Sequence, residues 1–533
     1  MEPVLGFVLI ILPIILAFVM LVFLKRAADV TGVVVWVVTL VAAVAAFQTD
    51  IGVALTASIA GIVKSFPISL MVATSILMMT WMQETGALQR LIVFFKTLGG
   101  GSRPMQIMLI SLGLGLFLVG IGATPVSMLP PVMLALGFSP LVAVALPAIG
   151  YDPLTTFALL GVPAQVFNTE FNAVSGSSVP LWESSLTFAW FMPVITTGIA
   201  ISMLWIAGGR KLLFQREGLF LAILSGITAG VIAILSNLSI VDQTILTNVF
   251  AGAAVIFVLL AYLKVLKKPL LDRSVLTEDD LKVEENMSLR RASMPWLILV
   301  ILSLAVTLYL PLKQLLIGPL DFIVQVGSYP KPISTKWLWQ AYTLMLIATL
   351  VSIPFFKSDR ATLGSTFRKF MRRAPRPVLA AAIFFAMAEV MNFSGYFPAI
   401  DGTWAFPVDS SNNMINLLAT LTTSALGTAY PLTAAFLGLL AGFISGSETS
   451  AIAMFTRYHH ETSVLIGANS MVVAASNGVG GGLASVLSPA KIQNAAAVID
   501  EIGIEGDVIR YGVVVAVLMT LATALMTMLW AFG

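Results

Sequence analysis

The chain has 533 residues, of which 58% are hydrophobic and 10% charged, and a mean hydropathy of +0.98; this balance excludes an ordinary water-soluble domain. It has no cysteine, which excludes disulfides, thiolate chemistry and cysteine metal sites. The net charge of +3 comes from short basic clusters between apolar runs, a signature of membrane topology under which nucleic acid is not an expected partner.

Apolar segments close to the roughly 20 residues of a spanning helix recur in chain order at 3–24, 31–47, 66–82, 104–121, 186–206, 218–236, 245–263, 294–311, 336–356, 377–394, 428–444 and 511–531. With the shorter apolar pieces between them they predict an all-α polytopic protein of about 12–14 transmembrane helices, multi-pass in the cell membrane with the lipid bilayer around it. The first segment follows Glu2 rather than a basic stretch and exceeds the core of a signal peptide, so it is expected to be retained.

Loop charge sets the expected topology. Lys25 and Arg26, Lys96 and Arg103, and Arg210, Lys211 and Arg216 mark cytoplasmic ends, as does 357–376, where Lys357, Arg360, Arg368, Lys369, Arg372, Arg373 and Arg376 face Asp359 alone. The loops 48–50, 171–185 and 395–412 carry acids and no base and read as external. Both termini then lie outside; Lys313, Lys331 and Lys336 stand against this walk in a loop it places outside. The polar interval 264–293 reads as a cytoplasmic linker between a first half, 1–263, and a second, 294–533, with Thr277 and Asp280 set to cap a short surface helix.

The halves share a weak similarity at an offset of 326 residues. Gly120–Thr124 lies opposite Gly446–Ser450, Gly150–Asp152 opposite Ser476–Gly478, and 186–206 opposite 511–531. The charge walk sends the last two spans in opposite directions, which predicts two inverted repeats with broken helices and re-entrant hairpins. Such matched interruptions point to a transport site, because non-helical backbone at membrane depth survives only where protein or a wet cavity satisfies it. Half-helix N-termini favour an anion, and Ser and Thr hydroxyls add donors. Gly122, Thr124, Asp152, Ser447, Thr449, Ser450, Asn477 and Gly478 are therefore candidate substrate-binding residues. Single glycines also serve close helix packing; matched clusters of Gly, Pro, hydroxyls and an acid favour a site.

An acid inside a span is a functional candidate by default. Glu389, within the apolar stretch 380–390 with no base near it in sequence, and Glu448, inside a break, are the candidate proton carriers; a hydrogen-bonded structural acid is the alternative for Glu389. Arg457 reads as an anchor at the cytoplasmic end of its helix, and Arg90 likewise. His459 and His460 project in different directions from a helix and read as a solvated helix end, so no metal site is expected. The chain has no His-Glu-x-x-His and no Ser/His pairing within spans, and is not expected to be an enzyme.

Several blocks resemble the lactate permease family, proton-coupled carriers of lactate and glycolate within the wider ion transporter superfamily. Gly120-Ile121-Gly122-Ala123-Thr124-Pro125-Val126 with Leu136-Gly137-Phe138-Ser139-Pro140-Leu141 is similar to that family's Gly-Phe-Gly-Ala-Pro-Val and Gly-Phe-x-Pro-Leu motifs. Leu363-Gly364-Ser365-Thr366 with Asn392-Phe393-Ser394-Gly395, Ser445-Gly446-Ser447-Glu448-Thr449-Ser450, and Asn477-Gly478 with Gly480–Gly482 and Ser488-Pro489 are similar to its other blocks. The sequence departs from the pattern at the added Thr124, at Gly150-Tyr151-Asp152-Pro153 in place of Asn-Thr-x-Pro, at Glu448 in place of Asp, and at Ser485 in place of a lysine, with Lys491 close by. The resemblance adds Asn392 to the substrate-binding candidates. It implies a symporter of a small monocarboxylate such as lactate or glycolate, with no cofactor beyond the coupling ion, H+. The alternative is a sodium-coupled (Na+) transporter of dicarboxylates or other organic anions. By analogy with related carriers, a homodimer is the expected assembly.

Overall fold

The computed structural model describes residues 3–20, 24, 26–98, 102–123, 125–356, 358–399, 404–405, 412–488, 491–492, 495–496, 498–499, 501 and 504–533. The first half runs α1 (Pro3–Phe18), α2 (Ala28–Ala45), α3 (Ile51–Lys64), α4 (Phe66–Glu84), α5 (Ala87–Thr97), α6 (Arg103–Gly120), α7 (Pro125–Ala135), α8 (Pro140–Gly150), α9 (Ala158–Ser175), α10 (Leu181–Leu213), α11 (Gly218–Ser236) and α12 (Thr247–Val265). A short α13 (Glu278–Asn286) lies in the linker. The second half runs α14 (Met294–Leu308), α15 (Leu310–Ile317), α16 (Ala341–Ser352), α17 (Arg360–Arg373), α18 (Pro375–Asn392), α19 (Met414–Leu426), α20 (Pro431–Ser445), α21 (Glu448–Ile466), α22 (Ser470–Leu483) and α23 (Glu505–Trp530).

Polar side chains start many of these helices where an apolar run could not start itself. Asp50, Ser139, Asp359, Asn413 and Asn469 each accept a first-turn N–H, supplying acceptors that helix N-termini otherwise lack. Thr277 and Asp280 close a full capping box on α13, as the linker sequence predicts.

Among the described residues eight helices are long and apolar enough to cross a membrane, or up to ten if each of two bent pairs is one span. The remaining apolar segments are helices of 10–17 residues, too short to cross alone. The chain is thus multi-pass and helical, with several of the expected spans found among the described residues as shorter helices. One such pair, Pro140–Gly150 with Asp152–Ser175, bends by 42°.

The loops sort onto two faces. Arg376 pairs with Asp29 at 3.2 Å and Lys369 with Glu84 at 2.5 Å. Lys96 pairs with Asp280 at 2.8 Å, and Arg90 with Glu284 at 3.0 Å, so the basic loops and the linker share one face. At the other end of α2 and α18, Thr49 Oγ1 accepts from Gly395 N, and Asp50 N donates to Tyr396 O, joining two of the acidic loops. Two small ribbons cover this second face: β1 (Ile323–Val324) pairs with β2 (Ile333–Ser334), and β3 (Phe397–Pro398) with β4 (Trp404–Ala405). Trp404 donates to Ser328 and stacks edge-on against Tyr329 and Phe393, which fixes the 325–331 loop over α3.

Two sequence readings are corrected. Arg90 is buried and donates to the Met287 carbonyl besides pairing with Glu284; it anchors the linker to α5 rather than capping a free helix end. His459 is fully buried, with Nδ1 2.5 Å from the Tyr430 hydroxyl, because α21 continues to Ile466 and carries this position into the bundle.

Candidate functional site

Helices α9, α20, α21 and α22 are set by their interruptions. Between α8 and α9 the chain makes a 3-10 turn over Asp152–Phe157 and then turns left-handed at Leu159, Leu160 and Gly161. α20 ends at Gly446, which is also left-handed, and α21 restarts at Glu448 with Ser447 as its cap. The freed carbonyls are met by side chains: buried Gln165 Nε2 donates to Leu160 O and buried Asn248 Nδ2 to Leu154 O, each at 3.0 Å, and half-buried Ser75 donates to Gly122 O at 2.9 Å. An orphaned buried carbonyl would cost about 1–3 kcal/mol, so these partners are what allow irregular backbone at this depth.

The two interruptions converge on one polar cluster. Thr156 donates its hydroxyl to Glu448 Oε1 at 2.5 Å, linking the first break to the second. Asp152 Oδ2 accepts from Val486 N at 3.2 Å, on the turn after α22. Lys491 Nζ donates to Ser485 Oγ at 2.7 Å and acts electrostatically on both Asp152 and Glu448. The ammonium of Lys491 thus reaches the side chain of Ser485. Asp152 and Glu448 are nearly wholly buried, and Asp152 Oδ1, Glu448 Oε2 and Ser450 Oγ have no hydrogen-bond partner among the described residues.

The glycines divide by role. Added Cβ atoms at Gly438, Gly442 and Gly480 would strike backbone at 1.9–2.3 Å, so these residues serve the close approach of α20 and α22. At Gly482 the added atom would instead lie 2.7 Å from Glu448 Oε2 and 3.2 Å from the Thr155 side chain. Gly482 therefore leaves room for the Glu448 carboxyl.

Of the expected substrate-binding residues, Asp152 belongs to this cluster. Ser447, Thr449 and Ser450 form the first turn of α21 beside Glu448, and Asn477 is fully buried, donating to Ala451 O at 3.2 Å. Gly478 packs against Phe188 and Ile452. Gly122 packs against Met345 and Met71, with no contact here to the Glu448 cluster. Thr124 lies outside the described residues.

Glu389 and Asn392 sit elsewhere, at the far end of α18. Glu389 Oε1 is 2.8 Å from Lys64 Nζ and its Oε2 accepts from the Tyr329 hydroxyl at 2.6 Å; Lys64 also lies 3.3 Å from Glu170. No base lies near Glu389 in sequence, and its partner comes from 325 residues away. Arg457, read as an anchor at the cytoplasmic end of its helix, instead faces this second cluster, away from the basic loops, and donates to the Asn392 carbonyl. Lys64, Glu170, Thr156 and Tyr329 escaped sequence reasoning. A lysine closing the apolar run 51–63 was the one available signal. No group of three or more His, Cys, Asp or Glu able to hold a metal occurs among the described residues.

A family model described as L-lactate permease matches residues 6–532. The L-lactate permease of Streptococcus iniae is 22% identical over 460 residues, covering 84% of this chain and 89% of that protein. Glycolate permease GlcA of Escherichia coli strain K12 is 24% identical, covering 98% and 95%. Among solved structures, MtrF of Neisseria gonorrhoeae, presented with a class of antimetabolite efflux pumps, aligns over 95% of each chain at 12% identity and a TM-score of 0.48.

Proposed function

The chain belongs to the L-lactate permease family, and on that premise we propose that it is a proton-coupled symporter of a small monocarboxylate, lactate or glycolate, in the plasma membrane. The observation that carries this reading is the meeting of two interrupted segments, 151–161 and 446–450, at buried Asp152 and Glu448 beside half-buried Lys491. The substrate carboxylate takes the Lys491 ammonium and the hydroxyls and N–H groups of the first turn of α21, where the helix dipole favours an anion. Glu448 takes the proton.

Charge balance supports coupling. One ammonium faces two carboxyls, so the cluster is neutral when one carboxyl holds a proton. A carboxylate entering a dry site alone adds an uncompensated charge, which is costly; entering with a proton it adds none. Each half carries an interrupted segment and ends in a long apolar helix, Leu181–Leu213 and Glu505–Trp530, an arrangement consistent with inverted repeats around a midplane site.

Counterflow and gradient-driven uptake of labelled glycolate in proteoliposomes separate the roles. Glu448→Gln is expected to retain exchange while losing accumulation driven by a proton gradient, and Lys491→Gln to lose both; wild-type behaviour in both variants would sink the assignment. A sodium-driven carrier is the second reading, favoured by the unpartnered acceptors Asp152 Oδ1 and Glu448 Oε2, which a sodium ion would also satisfy. Accumulation driven by sodium alone would select it.

A further inference from the structure

A cavity of about 250 Å3 opens where α3, α9, α18 and α21 meet the 325–331 loop, apart from the Glu448 cluster. Lys64 is its centre, one ammonium shared between two almost wholly buried carboxylates, Glu389 and Glu170. Asn392 lines the cavity, and its Oδ1 is buried with no donor among the described residues. Counting Arg457, Lys331 and Glu461, three cations face three acids across the cavity, so it is electrically balanced as it stands.

Its place in the bundle is that of an entrance. From Pro375, beside the basic loops, α18 rises about 21 Å to Glu389 at 1.5 Å per residue; by the positive-inside rule the cavity therefore belongs to the outer half. From Arg457, α21 leads back about 14 Å to Glu448, and α9 leads from Glu170 toward Thr156.

The geometry points to an outer docking site for a 2-hydroxy monocarboxylate, in which the incoming carboxylate takes Lys64 from Glu389 while Glu389 takes the accompanying proton. This rests on the transport reading above and adds a second station to it. The Lys64 hydrogen bond to Glu389 is exchanged for one to the ligand, the proton ends on Glu389, and the net charge of the cavity is unchanged. Tyr329 and Glu170 keep their places around the exchanged pair. Asn392 Oδ1 accepts from the ligand's 2-hydroxyl, the donor that separates glycolate from acetate.

Equilibrium binding of labelled glycolate and acetate to the full-length protein in nanodiscs tests the site, with Lys491→Gln removing the inner station. Lys491→Gln is expected still to bind glycolate; in that background Lys64→Met is expected to bind it at least about tenfold more weakly, and Lys64→Arg to recover most of the loss. In the same background the preference for glycolate over acetate, at least about tenfold, is expected to vanish in Asn392→Leu, since a site built for a hydroxyl discriminates through it. If Lys64→Met does not fold, that Asn392→Leu comparison decides. Glycolate binding lost entirely in Lys491→Gln, or unchanged in a folded Lys64→Met, overturns the docking site while leaving the transport reading intact. Failure of the wild type to bind either acid overturns both.

Discussion

A glycine at 482 keeps open the space that the Glu448 carboxyl occupies, and this is where packing and proton chemistry can be told apart. The atom that a new Cβ would crowd is the free end of a side chain, at 2.7 Å, so Gly482→Ala can be absorbed by moving the carboxyl. At Gly480 the obstructing atom is the Ala435 carbonyl at 1.9 Å, and the backbone must give. Gly482→Ala is expected to destabilise by no more than about 1–3 kcal/mol yet to lower uptake at least tenfold, with Gly480→Ala failing to fold. Thermal unfolding in detergent and uptake, measured on the same preparations, check this; full uptake by Gly482→Ala would contradict it. Single residues were legible in sequence only when they broke an apolar pattern. Glu389, Glu448 and Asp152 stood out as acids in apolar surroundings, whereas Thr156 looked like any hydroxyl, since its partner is 292 residues away.

At the scale of elements, Gly and Pro made the interruptions legible, and the linker helix could be read from its capping box. What could not be read was that this helix docks. Burial pushes the Asp280 carboxyl up, but the Lys96 ammonium and the Thr277 hydroxyl and N–H more than offset that, and its pKa falls below the ordinary aspartate value of 3.8. A depressed native value stabilises docking above the unfolded pKa, and that contribution is lost as pH falls through the native one. Hydrogen exchange over 278–286, corrected for intrinsic rates, is expected to stay slow from neutral pH down to the ordinary aspartate value of 3.8 and to quicken only below it; Asp280→Asn should be fast already at neutral pH. Equal protection in Asp280→Asn and wild type would show that the pair does not hold the linker. The helices α3 and α9 were harder to read, because 51–64 is too short for a span and 158–175 is interrupted at its start.

Across the whole molecule, composition made the multi-pass helical class plain, and loop charge sorted most ends onto two faces that the ion pairs bring together. Lys331, which opposed that sorting, lines the cavity around Lys64, and Lys313 pairs with Asp242 at 3.1 Å. Lys313 is thus held by a local acid. The pairing of Lys64 with Glu389 belongs to this scale too: it spans both halves, and no local pattern encodes it. The central claim is that the family's fold here moves a monocarboxylate together with a proton. Accumulation of labelled L-lactate or glycolate in proteoliposomes, with an inward proton gradient, sodium absent and the membrane potential clamped at zero, tests it most directly. The expected result is uphill accumulation that collapses with the proton gradient and does not respond to an imposed potential; accumulation that requires sodium, or none under a proton gradient, would contradict it.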